Sequence, residues 1–226
     1  MRDFTHKAMI FCMMILLVTG VTGCMNNKVS AVDKMVAYMN EKYDDHFEYS
    51  APFGGRTGGT AIQIMVVSEK FPDADIIVTY SPNLDKYSDN YTNYKYEQVT
   101  FEILKEILSN VLETEFLLTY KASLLPSSDF SDETTVETYI SQIGSYIQFV
   151  AIVDKDYQIE DKDVFLDKLE AELEKHSILA QGRIYFAQTA SQFTEFEKLD
   201  SDALDAMPRL YFTMTTTGQF NSAQWR

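Results

Sequence analysis

The stretch Lys95–Glu113, KYEQVTFEILKEILSNVLE, spaces Val99, Ile103, Ile107, Leu108, Val111 and Leu112 three and four residues apart. All six therefore fall on one stripe of an α-helix. A stripe that wide must be covered by an apolar surface, and the flanking sequence supplies strands to build one. Just downstream, Phe116–Tyr120 is a short apolar and aromatic run that reads as a strand. Upstream, residues 61–67 place Ile62, Ile64 and Val66 on one face, and residues 75–80 form a second apolar run beyond a turn at Pro72-Asp73. The two are expected to pair as an antiparallel hairpin.

Working outward, residues 30–43 read as a helix, with Val32, Met35, Val36 and Met39 at helical spacing and Ser30 with Asp33 as a capping pair. A short strand is expected over 46–50. Residues 51–59 (Ala-Pro-Phe-Gly-Gly-Arg-Thr-Gly-Gly) then form a turn, because they lack the Lys-Ser/Thr ending of a phosphate loop and lead into a strand. On the other side, residues 122–135 are loop by composition, with Pro126, Ser127, Ser128 and Asp129, and mark an internal boundary or a flap. Strands are expected over 146–153, 183–187 and 209–215, with helices over 162–175 and 192–199. No repeat relates the halves. This alternation predicts an α+β fold of two layers, a mixed or mainly antiparallel sheet with helices packed on one face, formed by residues 30–226 as one domain.

The first 23 residues stand apart from that domain. Arg2 and Lys7 precede an apolar run from Ala8 to Val18, which is shorter than the ~20 residues that a membrane span needs. The run ends in Val21-Thr22-Gly23-Cys24. This leader resembles the signal of bacterial lipoproteins, which implies cleavage after Gly23 and diacylglycerol on Cys24, holding the chain to the cell membrane on its extracytoplasmic face. Tyr38-Met39-Asn40-Glu41-Lys42-Tyr43 is similar to segments of uncharacterised lipoproteins of Gram-positive bacteria, a likeness that implies no activity. In the lipidated tether 24–29, the five residues 25–29 span roughly 17 Å at full extension, which keeps the domain close to the bilayer.

With Arg2, Lys7 and Asp3 removed in the leader, 17 basic side chains face 33 acidic ones. A surface so acidic argues against nucleic acid as a partner. Residues 24–60 are nearly neutral, with four basic against five acidic side chains, so an anionic bilayer would turn that end inward. Cys12 lies in the leader and Cys24 is the lipidation site, which leaves no disulfide and no cysteine nucleophile.

No catalytic residue, metal site or cofactor is assigned. His46 and His176 are far apart in sequence, and HExxH and GxSxG are absent. Asp154–Asp163 departs from a calcium loop, with Ile159 at the glycine position and Phe165 at the twelfth, and is expected to cap the next helix. Asp89-Asn90 and the Asp129/Asp132 pair attract ions on composition alone. The segment from Tyr80 to Tyr96 carries five tyrosines among Asn, Asp and Ser, and Tyr87, Tyr91 and Tyr94 are the candidate ligand-binding residues. If they read a ligand, their rings face solvent; if they are buried, they pin a loop. The expected function is a binding or interaction module at the cell envelope, for a glycan or an envelope protein. The alternatives are a carboxylate-dependent hydrolase and an accessory subunit of a membrane protein.

Overall fold

A computed structural model of the chain describes residues 30–54, 61–127, 129–143, 147–214 and 218–226. The leader, Cys24 and the tether therefore lie outside the described residues, as do Gly55–Thr60 of the glycine-rich turn. The chain divides into two compact units, Met1–Lys34 and Met35–Arg226. Of the first, the described part is the opening of helix α1 (Ala31–Lys42). Its cap is reciprocal: Ser30 Oγ accepts from the Asp33 N–H at 3.1 Å, and the Asp33 carboxylate accepts from the Ser30 N–H at 2.9 Å.

The second unit holds two sheets where one was expected, and its fold is α+β. The first is an antiparallel meander, β1 (Phe47–Pro52), β2 (Ile62–Ser68), β3 (Ile76–Ser81) and β4 (Lys86–Asp89), in that order. The expected hairpin is present, with Ile64 opposite Val78. Ile64, Val66, Ile76 and Val78 are buried, as are Met35 and Met39 of α1. Ile62, where the strand begins, is 37% exposed. The Asn40 amide ties α1 to the first strand by accepting from the Phe47 N–H and donating to its C=O.

The tyrosine-rich segment is not the loop its composition suggests. It forms β4 and a short helix α2 (Tyr91–Lys95), then enters α3 (Glu97–Leu112). α3 ends at Glu113, which sits in the left-handed region at φ 53°.

The second sheet has the order β5 (Phe116–Tyr120), β6 (Ile147–Val153), β7 (Ala180–Phe186), β8 (Arg209–Met214), β9 (Phe220–Trp225). Only β6 and β7 run parallel. α3, α4 (Val136–Ile143) and α5 (Lys162–Lys175) cover one face through a core that includes Leu104, Leu108, Tyr139, Ile147, Leu169 and Phe212. The other face is covered in part. Ile152, Tyr185 and Ala187 pack under Phe193 of α6 (Ala190–Thr194) and under Met207, which follows α7 (Ser201–Asp205). The sequence of β6, IQFVAIV, foretells this: its last residues are apolar on both faces, as in a strand covered twice.

Gly182 decides how the large core closes. It lies between Phe149 on β6 and Phe212 on β8. A Cβ there would stand 2.4 Å from two ring atoms of Phe212 and 2.8 Å from Phe149. The missing side chain is the space those rings occupy. Residues 122–135 are held in place: the Ser127 N–H and C=O pair with Asp89, the Asn93 amide donates to Ser123 O and Leu125 O, and Phe130 is buried.

Candidate functional site

Of the three candidate tyrosines, Tyr91 turns inward and Tyr87 and Tyr94 are half-buried. Tyr91 is 2% exposed, with its ring against Tyr43 at 4.4 Å, Phe47 at 5.1 Å and Phe71 at 5.5 Å. Tyr87 is stacked on by Tyr38 at 4.8 Å and by Tyr80 at 4.6 Å. Tyr91 therefore pins the segment, as burial was expected to mean, while Tyr87, half-buried, stacks with its two neighbours. The reason is periodicity: once 86–89 is a strand and 91–95 a helix, Tyr87 and Tyr91 lie on sides that α1 and β1 cover. Tyr94 is half-buried, donates its hydroxyl to Asp75 O at 3.3 Å, and lines an open groove.

Asp89 is the polar centre of this half. Its carboxylate is 1% exposed and accepts from Lys42 Nζ at 2.7 Å, Tyr38 OH at 2.9 Å, Tyr43 OH at 2.8 Å and the Tyr91 N–H at 3.1 Å. Burial, and after it the charge of Asp89, pushes the Tyr38 and Tyr43 hydroxyls far above the ordinary tyrosine range. Four donors on two oxygens leave Asp89 no lone pair for chemistry, and its role is structural. Asn90 is equally engaged, accepting from the Ile77 N–H and donating to Asp75 O.

The other candidates find partners of their own. Lys95 bonds Asp132 at 2.8 Å, and Lys86 stands 4.0 Å from Asp129. His46 is exposed beside Glu48, and His176 closes α5 near Glu172. Asp161 caps α5 by accepting from the N–H groups of Asp163 and Val164. Among the described residues no group of three or more His, Cys, Asp or Glu stands close enough to hold a metal ion.

What sequence reasoning missed is a polar platform on the part of the large sheet that α6 and α7 leave open. Register places Thr119, Val150, Arg183 and Tyr211 in one row across β5 to β8, and Gln148, Gln181 and Thr213 in the next. With Lys121, Tyr94, Leu124, Leu125 and the carboxylates of Asp73, Asp75 and Glu97 around them, these rows, Thr213 excepted, floor a groove of about 860 Å³. Arg183 lies over the Tyr211 ring at 5.8 Å. Neither Arg183 nor Lys121 has a carboxylate partner among the described residues. The signal was in the alternation: Gln148 and Val150 interleave with Ile147, Phe149 and Ala151, and Tyr211 and Thr213 with Leu210, Phe212 and Met214.

No known protein family matches the chain, and no curated protein matches it. Among solved structures it is similar to a DUF5037 family protein from Ruminococcus gnavus ATCC 29149, at 16% identity and a TM-score of 0.45, over 84% of this chain and 93% of that one.

Proposed function

We propose that this protein is a lipid-anchored, extracytoplasmic binding module that takes an envelope glycan into the groove on its five-stranded sheet. The address rests on Val21-Thr22-Gly23-Cys24, read as a lipobox with diacylglycerol on Cys24. The ligand class rests on one observation. A concave platform presents amides from Gln148 and Gln181, hydroxyls from Thr119 and Tyr94, and a guanidinium held over an aromatic ring. Planar donors and acceptors beside a ring edge suit sugar hydroxyls, which offer and accept hydrogen bonds along a low-profile chain. Arg183, which has no carboxylate partner among the described residues, supplies a charged donor to an acidic group of the glycan on a floor that Asp73, Asp75 and Glu97 also border.

Fatty-acid labelling and glycan capture, run side by side on the parent, Cys24→Ala and Arg183→Ala chains, test both halves. Cys24→Ala should lose the lipid label. Arg183→Ala should keep it and bind purified wall glycan about 10- to 100-fold more weakly, as loss of a charged hydrogen bond of ~1.5–3 kcal/mol implies. Labelling that survives Cys24→Ala removes the anchor; glycan binding indifferent to Arg183, or absent in the parent, removes the ligand.

A further inference from the structure

Four strands lie at the edges of the two sheets, and three of them carry features that discourage pairing with another chain. β1 has Pro52 and a register shift between Tyr49 and Ala51. β4 is four residues long, opens on Lys86 and is bridged at Asp89 by Ser127. β9 is polar at Asn221, Ser222 and Gln224 and lies against a register shift in β8. β5 has none of these. Its five residues, FLLTY, carry no charge and no proline, and Leu117 is 41% exposed.

The hydrogen-bond phase of β5 follows from its first contact. Glu115 O accepts from the Asp154 N–H at 3.1 Å, one step before the pair Phe116–Val153. In an antiparallel ladder the residues that bond the neighbouring strand alternate with residues whose N–H and C=O point away from it. Glu115, Leu117 and Thr119 therefore face β6, and Phe116, Leu118 and Tyr120 direct their backbone groups outward. Those groups have no partner among the described residues. A groove of about 380 Å³ runs along this edge, between Phe101 and Lys105 of α3 on one side and Phe196 and Lys198 on the other.

We infer that the edge of β5 is a homodimer interface, in which β5 of a second copy pairs antiparallel about a two-fold axis through Leu118. This register sets Leu118 opposite Leu118 of the second copy and Phe116 opposite its Tyr120, so every outward N–H and C=O meets one of opposite kind. It is also the register that overlaps the strand along its whole length. One position further out, Glu115 comes opposite Lys121 of the second copy, and the pair occurs twice. Both side chains are exposed, and neither has an ion-pair partner among the described residues. An edge that is self-complementary in hydrogen bonding, in apolar content and in charge fits its own copy better than an unrelated strand. The result is a ten-stranded sheet across two molecules. This inference does not depend on the glycan reading.

Cysteine pairing in the full chain in its native membrane tests the register. Leu117 should lie opposite Thr119 of the second copy as a non-hydrogen-bonded pair, with Cα atoms about 4.5 Å apart, within disulfide range. Leu117→Cys and Thr119→Cys chains carrying different tags and expressed together should form a mixed disulfide dimer on mild oxidation. A Leu84→Cys chain, at a distant exposed site, should give none. Sedimentation of the detergent-solubilised chain supplies the charge test: Lys121→Glu should weaken dimerisation at least five-fold, and Glu115→Lys combined with Lys121→Glu should restore it. A monomer at all concentrations, a dimer insensitive to Lys121→Glu, or crosslinks that join β5 to a different protein would each overturn the proposal.

Discussion

The two sheets of this protein are held by opposite means. The four-stranded sheet is organised around a charge: Asp89, buried, gathers an ammonium, two phenols and a backbone N–H at 2.7–3.1 Å. The five-stranded sheet is organised around a void: Gly182 contributes no side chain, and Phe149 and Phe212 close over it. One centre depends on geometry among polar groups, the other on volume. Buried polar networks are costly when broken in part, whereas an apolar core fails when it is overfilled.

The largest effect should come from Asp89→Ala. It leaves Lys42, whose side chain is 13% exposed, without its carboxylate, strips Tyr38 of its acceptor and leaves Tyr43 only the Thr92 hydroxyl. A loss of about 3–5 kcal/mol is expected by urea unfolding, with hydrogen exchange accelerated first in β3 and β4. A loss under ~1 kcal/mol would mean the charge is ornamental and the contrast false. Gly182→Ala should cost about 1–3 kcal/mol, because the new methyl meets two rings of a packed core. Here exchange should rise in β6 to β8 and leave β2 and β3 protected; an equal rise in both sheets would show that they unfold as one.

The smallest effect concerns the contact between α2 and the 122–135 connection. The hydrogen bond from Lys95 holds the Asp132 carboxyl below the usual carboxylate range. A depressed pKa contributes stability that is present above the unfolded value of ~3.9 and is lost as pH falls through the folded value. With 38% of the Asp132 side chain exposed, screening limits this to less than about 1 kcal/mol. Lys95→Met should therefore lower stability slightly at pH 7 and by less at acid pH, where its bond to the Asp132 C=O remains but the carboxylate is lost. A deficit unchanged at acid pH would show that Lys95 acts through its bond to the Asp132 carbonyl or through packing, not through the carboxylate.

Helices and hairpin were readable wherever burial followed a single period. Val111 and Leu112, Phe165 and Leu169, and Ile64 and Val66 are buried where the spacing puts them, and Asp161 caps α5 as its position implies. Reading failed where one residue type has two uses. The strand expected over 183–187 spans Ala180–Phe186 and takes in Gly182 as its third residue, since glycine marks both a break and a close approach. Tyrosines among Asn and Ser look like a binding loop, yet the same composition builds β4 and α2 once Asp89 and Asn90 satisfy the backbone around them. The groove escaped because its floor comes from four strands distant in sequence, and only register brings Thr119, Gln181, Arg183 and Tyr211 together.

Trp225, the only tryptophan of the chain, sits on β9 against Phe165 at 5.7 Å and Phe186 at 5.8 Å, under Lys162 Nζ at 5.0 Å. The stacked rings of Tyr38, Tyr87 and Tyr80 all belong to the other half. Indole emission therefore reports on one half alone, whether the last strand and α5 remain docked, in an unlabelled sample, whereas the near-ultraviolet circular dichroism of coupled phenols draws on both halves, through Tyr38, Tyr80 and Tyr87 in one and Tyr96 and Tyr139 in the other.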